Sequence, residues 1–220
     1  YIQSIDNFND PFINNQKLLQ TIKAFEAWEI ESGDRSVVVG ISDNGILQTH
    51  EDLYASIDTN YAETVNNSDT DFNGYPDDFI GFNFAPDAER SYNNTENIRN
   101  HGTIVAGIIG ATPNNDRGIV GVANKCKIFP IKAATYSNSE SIQFGYEAIV
   151  YAAVRGFKVL NCSWGREEQK SFSYVEQSMI DYAVSMGVLI VCSGGNTGGG
   201  GADPDRVYNN YPASYNNVLG

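Results

Sequence analysis

Imidazole chemistry in this 220-residue chain is restricted to two residues, His50 and His101. His101 lies in Asn100-His101-Gly102-Thr103, at the start of an apolar stretch over 101–111 whose pattern predicts a helix. Asp43 comes just after the β-branched run Val37-Val38-Val39-Gly40-Ile41, and Ser193-Gly194-Gly195-Asn196 directly follows Val188-Leu189-Ile190-Val191-Cys192. A carboxylate, an imidazole and a side-chain amide in such places suit acyl transfer. Asp43 would fix the tautomer and orientation of His101, His101 would take a proton from a nucleophile, and the Asn196 amide would donate to the developing oxyanion. Each piece alone also has a local reading: a turn aspartate or helix cap, a surface histidine, a glycine-rich turn. Their joint placement favours chemistry.

The frame that would hold them is legible in the same pattern. Residues 37–41, 126–131, 158–162 and 188–192 are short uninterrupted apolar runs, which predict parallel strands covered on both faces. Helical patterns over 101–111, 140–155 and 173–186 lie between them, giving an α/β chain with a doubly wound sheet and sites past the carboxyl ends of its strands. Residues 1–36 read as an arm and an approach helix, capped by Asn14 or Asn15, carrying Leu18, Leu19, Ile22, Phe25 and Trp28, and ended by Gly33. The stretch from Asp58 to Asn100 is rich in Asn, Asp and Tyr and predicts long surface loops of the kind that bind something. No repeat or linker divides the chain, so residues 1–220 are expected to form a single domain.

Composition excludes several classes. With 14 Lys and Arg against 27 Asp and Glu, the formal net charge is −13, which disfavours nucleic acid and anionic lipid as partners. No apolar run has the roughly 20 residues of a membrane helix. The polar opening lacks the basic start and apolar middle of a signal peptide, which fits an intracellular protein or the mature part of a processed one. Three cysteines, Cys126, Cys162 and Cys192, all in apolar stretches, read as core residues rather than a disulfide framework. A nucleotide-binding protein of doubly wound fold is the rival from another class. It would want Gly-x-Gly-x-x-Gly after the first strand, where only Gly40 and Gly45 occur, and Asp43 would repel a phosphate.

The segment Asp69-Thr70-Asp71-Phe72-Asn73-Gly74-Tyr75-Pro76-Asp77-Asp78 alternates oxygen ligands and has glycine at its sixth place. That spacing suits calcium, held by Asp69, Asp71, the Asn73 amide oxygen, the Tyr75 carbonyl and Asp77 or Asp78. The alternative is an acidic turn that caps itself by Asx hydrogen bonds.

Six segments together resemble the subtilisin-like serine proteases, the subtilases, over about Ala27 to Leu219. The segment from Val37 to Leu53 resembles the one around the family's catalytic aspartate, with Asn44 where Thr or Ser is usual. His101-Gly102-Thr103-Ile104-Val105-Ala106-Gly107 resembles the catalytic histidine helix, with Ile104 where a second histidine is common. Gly118 to Ala123, Asn161-Cys162-Ser163-Trp164-Gly165, Val191 to Asn196 and Tyr211 to Leu219 follow in family order. The resemblance implies a subtilisin-like three-layer fold and a serine endopeptidase working through an acyl-enzyme, with Asp43 and His101 catalytic and Asn196 at the oxyanion. It implies a cleft that adds an extended peptide as a strand, with Ser163, Trp164 and Gly165 as one partner strand and Gly194 in the turn beside it. Thr197 and Asn210 would lie near the base of the primary pocket, and their neutrality leans towards uncharged side chains before the scissile bond. It further implies a structural calcium held by Asp52, the Asn115 amide oxygen and the carbonyls of Thr112, Arg117 and Ile119, with His50 beside it, and a secreted, cell-surface or periplasmic location.

The family's nucleophile lies in Gly-Thr-Ser-x-Ala-x-Pro, several tens of residues after the asparagine turn, and no such motif occurs up to Gly220. Ser163, Ser193 and Ser214 lack its context. The serine is therefore expected on a companion C-terminal segment, covalent or separate, and the chain alone is expected to be inactive. A subtilase-like domain that binds peptides without cutting them is the alternative.

Overall fold

The computed structural model describes residues 8–85, 100–135, 141–167, 172–196 and 210–220. The apolar runs form strands: β1 (Val38–Asp43), β3 (Lys127–Lys132), β4 (Val159–Cys162) and β6 (Leu189–Cys192), joined by the short strands β2 (Phe82–Asn83) and β8 (Val218–Leu219). They make one six-stranded sheet in the order β2-β3-β1-β4-β6-β8, and every neighbouring pair is parallel. Two further short strands, β5 (Arg166–Glu167) and β7 (Asn210–Tyr211), pair antiparallel beside it. The helices are α1 (Lys17–Thr21), α2 (Ala24–Ile30), α3 (His101–Gly110), α4 (Gly145–Val154) and α5 (Tyr174–Ser185).

The sheet is covered on both faces because its strands alternate two apolar sides. Ile41 and Ile128 join Ile46, Leu53, Ala106 and Ala111 in the core under α3. Phe129, Ile131 and Leu160 face the other way, towards Ile149, Tyr151 and Ala152 of α4 and Ile180 and Ala183 of α5. Gly40 lies on that second side, where a β-carbon would come within 2.8 Å of the Phe157 ring. Burying each large aliphatic side chain contributes about 1.5–3 kcal/mol. α5 starts at Ser173, whose hydroxyl accepts the Glu176 N–H at 3.4 Å, and stops before Gly187, which has a φ of +91°.

Chain order creates the crevice that holds the site. From β1 the chain passes through α3 to β3 on one side of β1, then through α4 to β4 on the other. Connections therefore diverge at the carboxyl end of β1, where Asp43 is the last residue.

Three elements differ from the sequence pattern. The expected single helix after residue 14 is two short ones, broken at Lys23 in a left-handed conformation with φ of 56°. It is capped by neither Asn14 nor Asn15, which lie in a 3-10 turn, and Gln16 precedes the first helix. The break turns Phe25 and Trp28 inward onto Phe8 and Val120, and the Trp28 indole donates to the Val122 carbonyl at 2.8 Å, while Leu18 and Ile22 stay exposed. The helix expected over 140–155 begins only at Gly145, since the Gln143 and Phe144 amides bond instead to the Ala133 carbonyl. The loop region from Asp58 contains β2, paired with β3. Residues 86–99 of that region lie outside the described residues.

Candidate active site

Asp43 and His101 meet at the crevice. The imidazole Nδ1 lies 2.8 Å from one Asp43 carboxylate oxygen and 3.1 Å from the other. An ionised carboxylate only accepts, so Nδ1 carries the proton in this contact, which leaves Nε2 as the ring nitrogen directed away from Asp43. The Asp43 side chain is 3% exposed and the His101 side chain 55%, so the carboxylate is walled in while the ring faces solvent. Burial raises the Asp43 carboxyl above its ordinary value. Hydrogen bonds from His101 and from the Asn44 N–H, at 2.7 Å, oppose that shift without cancelling it.

Local sequence explains the approach of α3 to β1. A β-carbon on Gly102 would stand 2.3 Å from the Gly45 carbonyl oxygen and 3.0 Å from Asp43 Cβ, so glycine is what lets the helix start so close. Asn100, with φ of 49°, turns the chain into the helix. The Asn44 amide oxygen accepts the Gly102 N–H at 3.2 Å, and the Thr103 hydroxyl accepts the Leu47 N–H at 2.9 Å. Helix start and strand end are thus tied by two side chains, one of them Asn44, the position where the sequence departs from the subtilase pattern.

Asn196 lies on the wall of the same cleft, which has a volume of about 830 Å³ and includes Asp43, His101, Ser163, Trp164, Gly165 and Asn210. Gly195 precedes Asn196 with φ of +102°, and its N–H donates to the Ser193 hydroxyl at 3.2 Å. The structure brings the expected substrate strand to this cleft. Asn161 donates to the Ser163 hydroxyl at 2.9 Å, and the Trp164 indole donates to the Ser42 hydroxyl at 3.1 Å. The Trp164 ring fills the space over Gly145 and meets the Tyr146 ring edge-on at 5.8 Å. Asn210 donates to the Ser193 carbonyl at 3.3 Å, sits where Gly165 lacks a side chain, and keeps a buried amide oxygen with no partner among the described residues. Gly194 is exposed in the turn, and Thr197 lies outside the described residues.

One wall of the cleft was not anticipated. Arg166 and the Tyr215 hydroxyl both reach the same Glu176 carboxylate oxygen at 2.5 Å, with Tyr146 beside them. Burial alone would raise Glu176, but Tyr215, Tyr146 and Arg166 outweigh it and hold the carboxyl below its ordinary value. Burial, reinforced by Glu176, pushes the Tyr146 hydroxyl far above its ordinary value. These residues are scattered over 70 positions of sequence in unremarkable contexts, so no local signal marks them.

Both acidic regions in which the sequence suggested a cation lie among the described residues. Asp52 is buried, accepts the Ile119 N–H and an Asn115 amide hydrogen at 2.9 Å each, and burial raises its carboxyl. Gly118 gives it room, since a β-carbon there would come within 2.1 Å of an Asp52 oxygen. Asp10, missed in the sequence, is buried close enough to raise Asp52 further by repulsion, and one of its oxygens is buried without a partner. His50 stands beside this region, its Nδ1 accepting the Asp52 N–H at 3.1 Å. In the second region Asp71, Asn73 and Asp78 converge, whereas Asp69 turns to the backbone amides of Asn73 and Gly74.

Comparison with known proteins agrees with this geometry. A family model described as "Subtilase family" matches residues 34–220. Thermitase of Thermoactinomyces vulgaris is 29% identical over 212 residues, covering 96% of this chain and 63% of thermitase. The halolysin-like extracellular serine protease Nep of Natrialba magadii is 30% identical over 211 residues, covering 96% of this chain and 34% of Nep. Among solved structures, a protease from Pseudoalteromonas arctica PAMC 21717 superposes with a TM-score of 0.66 at 28% identity, covering 96% of this chain and 64% of that one. The chain thus spans less than two thirds of each of these relatives.

Proposed function

The chain belongs to the subtilase family, and from that premise we propose that it is the Asp-His part of a serine endopeptidase whose nucleophilic serine lies on a segment outside these 220 residues. The observation that carries the reading is the 2.8 Å contact between His101 Nδ1 and the buried Asp43 carboxylate. In the reaction, Nε2 of His101 takes the serine proton as the serine oxygen attacks the peptide carbonyl. Asp43 holds the ring and stabilises the imidazolium, and the Asn196 amide donates to the oxyanion. His101 then returns the proton to the leaving amine, and water repeats the sequence on the acyl-enzyme. The substrate is an extended peptide laid along Ser163-Trp164-Gly165, and the neutral Asn210 favours an uncharged residue before the scissile bond.

We place a structural calcium at the first acidic region. Asp10 and Asp52 would supply carboxylates, with the orphaned Asp10 oxygen as the observation that fits, and the Asn115 amide, which here faces Asp52 through its nitrogen, would turn over to offer its oxygen. The ion would fasten the arm to the loop after α3. Secretion is proposed by analogy with the relative Nep, an extracellular protease.

The test uses the full encoded protein. A fluorophosphonate probe should label a serine in a Gly-Thr-Ser context beyond Gly220, and His101→Ala should abolish labelling. An encoded protein without that serine, or labelling that survives His101→Ala, overturns the reading; the first result favours a domain that binds peptides without cutting them.

A further inference from the structure

Cys162 and Cys192 are free thiols at the ends of two neighbouring strands. Cys162 is the last residue of β4 and Cys192 the last of β6, and these parallel strands pair with the two cysteines directly in register. Register partners in a parallel pair point to the same face of a sheet. Both side chains lie in the core on the side of α4 and α5, at 0% and 7% exposure. Burial pushes the Cys162 thiol up, and the neighbouring Cys192 adds to the shift. The third cysteine, Cys126, stands apart against Gly33.

From this register we infer that Cys162 and Cys192 form a modification site, a thiol pair that small disulfides of the glutathione class convert reversibly into a cross-strand disulfide. Adjacent strands run about 4.7–4.9 Å apart, inside the Cα separation of about 4.4–6.8 Å that a disulfide spans. Side chains on one face stand side by side, so the β-carbons keep about the strand spacing, a little more than the roughly 3.5–4.5 Å that the bridge prefers. The bridge therefore closes by drawing the two strand ends together by about half an ångström, and the strain left in it makes it easy to reduce. Both cysteines are the last residues of their strands, where the backbone can give.

The exchange needs no metal and no cofactor. Cys192, the more exposed thiol, attacks the small disulfide as its thiolate, and one sulfur of that disulfide leaves. Cys162 then attacks the Cys192 sulfur, and the second small sulfur leaves. The departing thiolates take up the two protons, so two protein thiols are oxidised and one small disulfide is reduced to two thiols. The product is uncharged, which suits a site where burial disfavours the thiolate.

The residues next in the chain are those the cleft uses. Cys162 leads into Ser163-Trp164-Gly165 and Cys192 into the turn to Asn196, and the Ser193 N–H donates to the Cys162 carbonyl at 3.0 Å. On its other side Cys162 is in register with Ser42, the residue before Asp43. Closing the bridge would draw the peptide strand and the oxyanion turn towards each other. Resting on the proposed peptidase reading, the oxidised form is the less active one.

The experiment uses the full encoded protein carrying Cys126→Ser, or wild type if that variant fails to fold. It is equilibrated in glutathione buffers of increasing oxidation, alkylated, and mapped by digestion and mass spectrometry. The oxidised buffers should give a peptide pair joined through Cys162 and Cys192 and an intact mass lower by two hydrogens, both reversed by dithiothreitol. Cys162→Ala and Cys192→Ala should each abolish the joined pair. Thiols that stay reduced, glutathione adducts without the joined pair, or a joined pair that forms only in denaturant overturns the inference. Hydrolysis of a chromogenic peptide should fall by about tenfold on oxidation and recover on reduction, since a misplacement of roughly 1 Å can cost about 100-fold. Turnover in Cys162→Ala and Cys192→Ala should not respond to the buffer, and an unchanged rate in the bridged protein overturns the link to the cleft. The mass readouts need no catalytic serine, so the bridge is decided even if the peptidase reading fails.

Discussion

Asp43 and Asp78 are both buried carboxylates whose ionisation burial disfavours, and they differ in what answers that cost. Asp78 meets a permanent cation and three neutral donors: Arg155, the Tyr151 hydroxyl, Asn60 and Asn73. Arg155 is itself held over the Phe129 ring, 5.0 Å from its centroid. Asp43 meets one imidazole, half in solvent, and the neighbouring Asn44 N–H. The first arrangement has its charge neutralised permanently and holds a loop. The second is answered by hydrogen bonds from His101 and the Asn44 N–H alone, which oppose the cost of burial without cancelling it. In the proposed mechanism that leaves the Asp43 carboxylate facing a ring that would become charged in the transition state.

The largest effect should break the comparison from the catalytic side. In the full protein, His101→Ala should lower peptide turnover by about 10⁶, the loss measured in subtilisin, and Asp43→Asn by about 10⁴. Steady-state kinetics on a chromogenic peptide checks both, and turnover within tenfold of wild type in either variant would remove the dyad from the mechanism. The structural side should respond in stability. Arg155→Ala strands Asp78 and should cost about 3–5 kcal/mol in urea unfolding, whereas Asp43→Asn should cost under about 1 kcal/mol. Similar losses from the two variants would erase the distinction.

Gly102→Ala probes the strut between the elements. Its β-carbon must push the helix start off the Gly45 carbonyl, costing about 1–3 kcal/mol. Because His101 is the adjacent residue, turnover should fall as well, with little change in KM. A variant that loses stability and keeps turnover would show that the site tolerates the shift.

The smallest effect concerns pH. A raised Asp43 carboxyl adds stability while it is protonated, below the ordinary carboxylate range, and loses that contribution as pH climbs through the raised value. Asp43→Asn removes this dependence. Relative to that variant, wild type should therefore lose stability as pH rises from the ordinary carboxylate range through the raised Asp43 value. Unfolding midpoints across that window check the sign, and a relative gain would mean that the hydrogen bonds from His101 and Asn44 outweigh burial.

Much of the fold was legible because strands covered on both faces must be apolar along their whole length. Residues 37–41, 126–131, 158–162 and 188–192 announce themselves that way, and each lies in or against a central strand. The approach helix was not, since its apolar residues fit a helical period although the chain breaks at Lys23 to bury Trp28. Short strands such as β2, β5 and β7 are held by their partners rather than by their own pattern. At the site, Asp43 and His101 were readable from type and context. Asp10 and the Arg166–Glu176–Tyr215 wall were not, because what distinguishes them is burial and distant partners.

Residue type and short-range order therefore specified which groups could do chemistry: a chain with two histidines, one of them opening an apolar helix, leaves few options. Distance was a different matter. Asp43 and His101 are 58 positions apart, and their 2.8 Å contact depends on Gly102 fitting under the Gly45 carbonyl. Asp71 and Asp78 come together only because Asn60, Tyr151 and Arg155 hold Asp78 inside. Periodicity and side-chain chemistry are local properties that a linear chain carries openly. Which oxygens end up dry, unpaired and within a few ångströms of one another is decided by packing, after distant segments have closed around them.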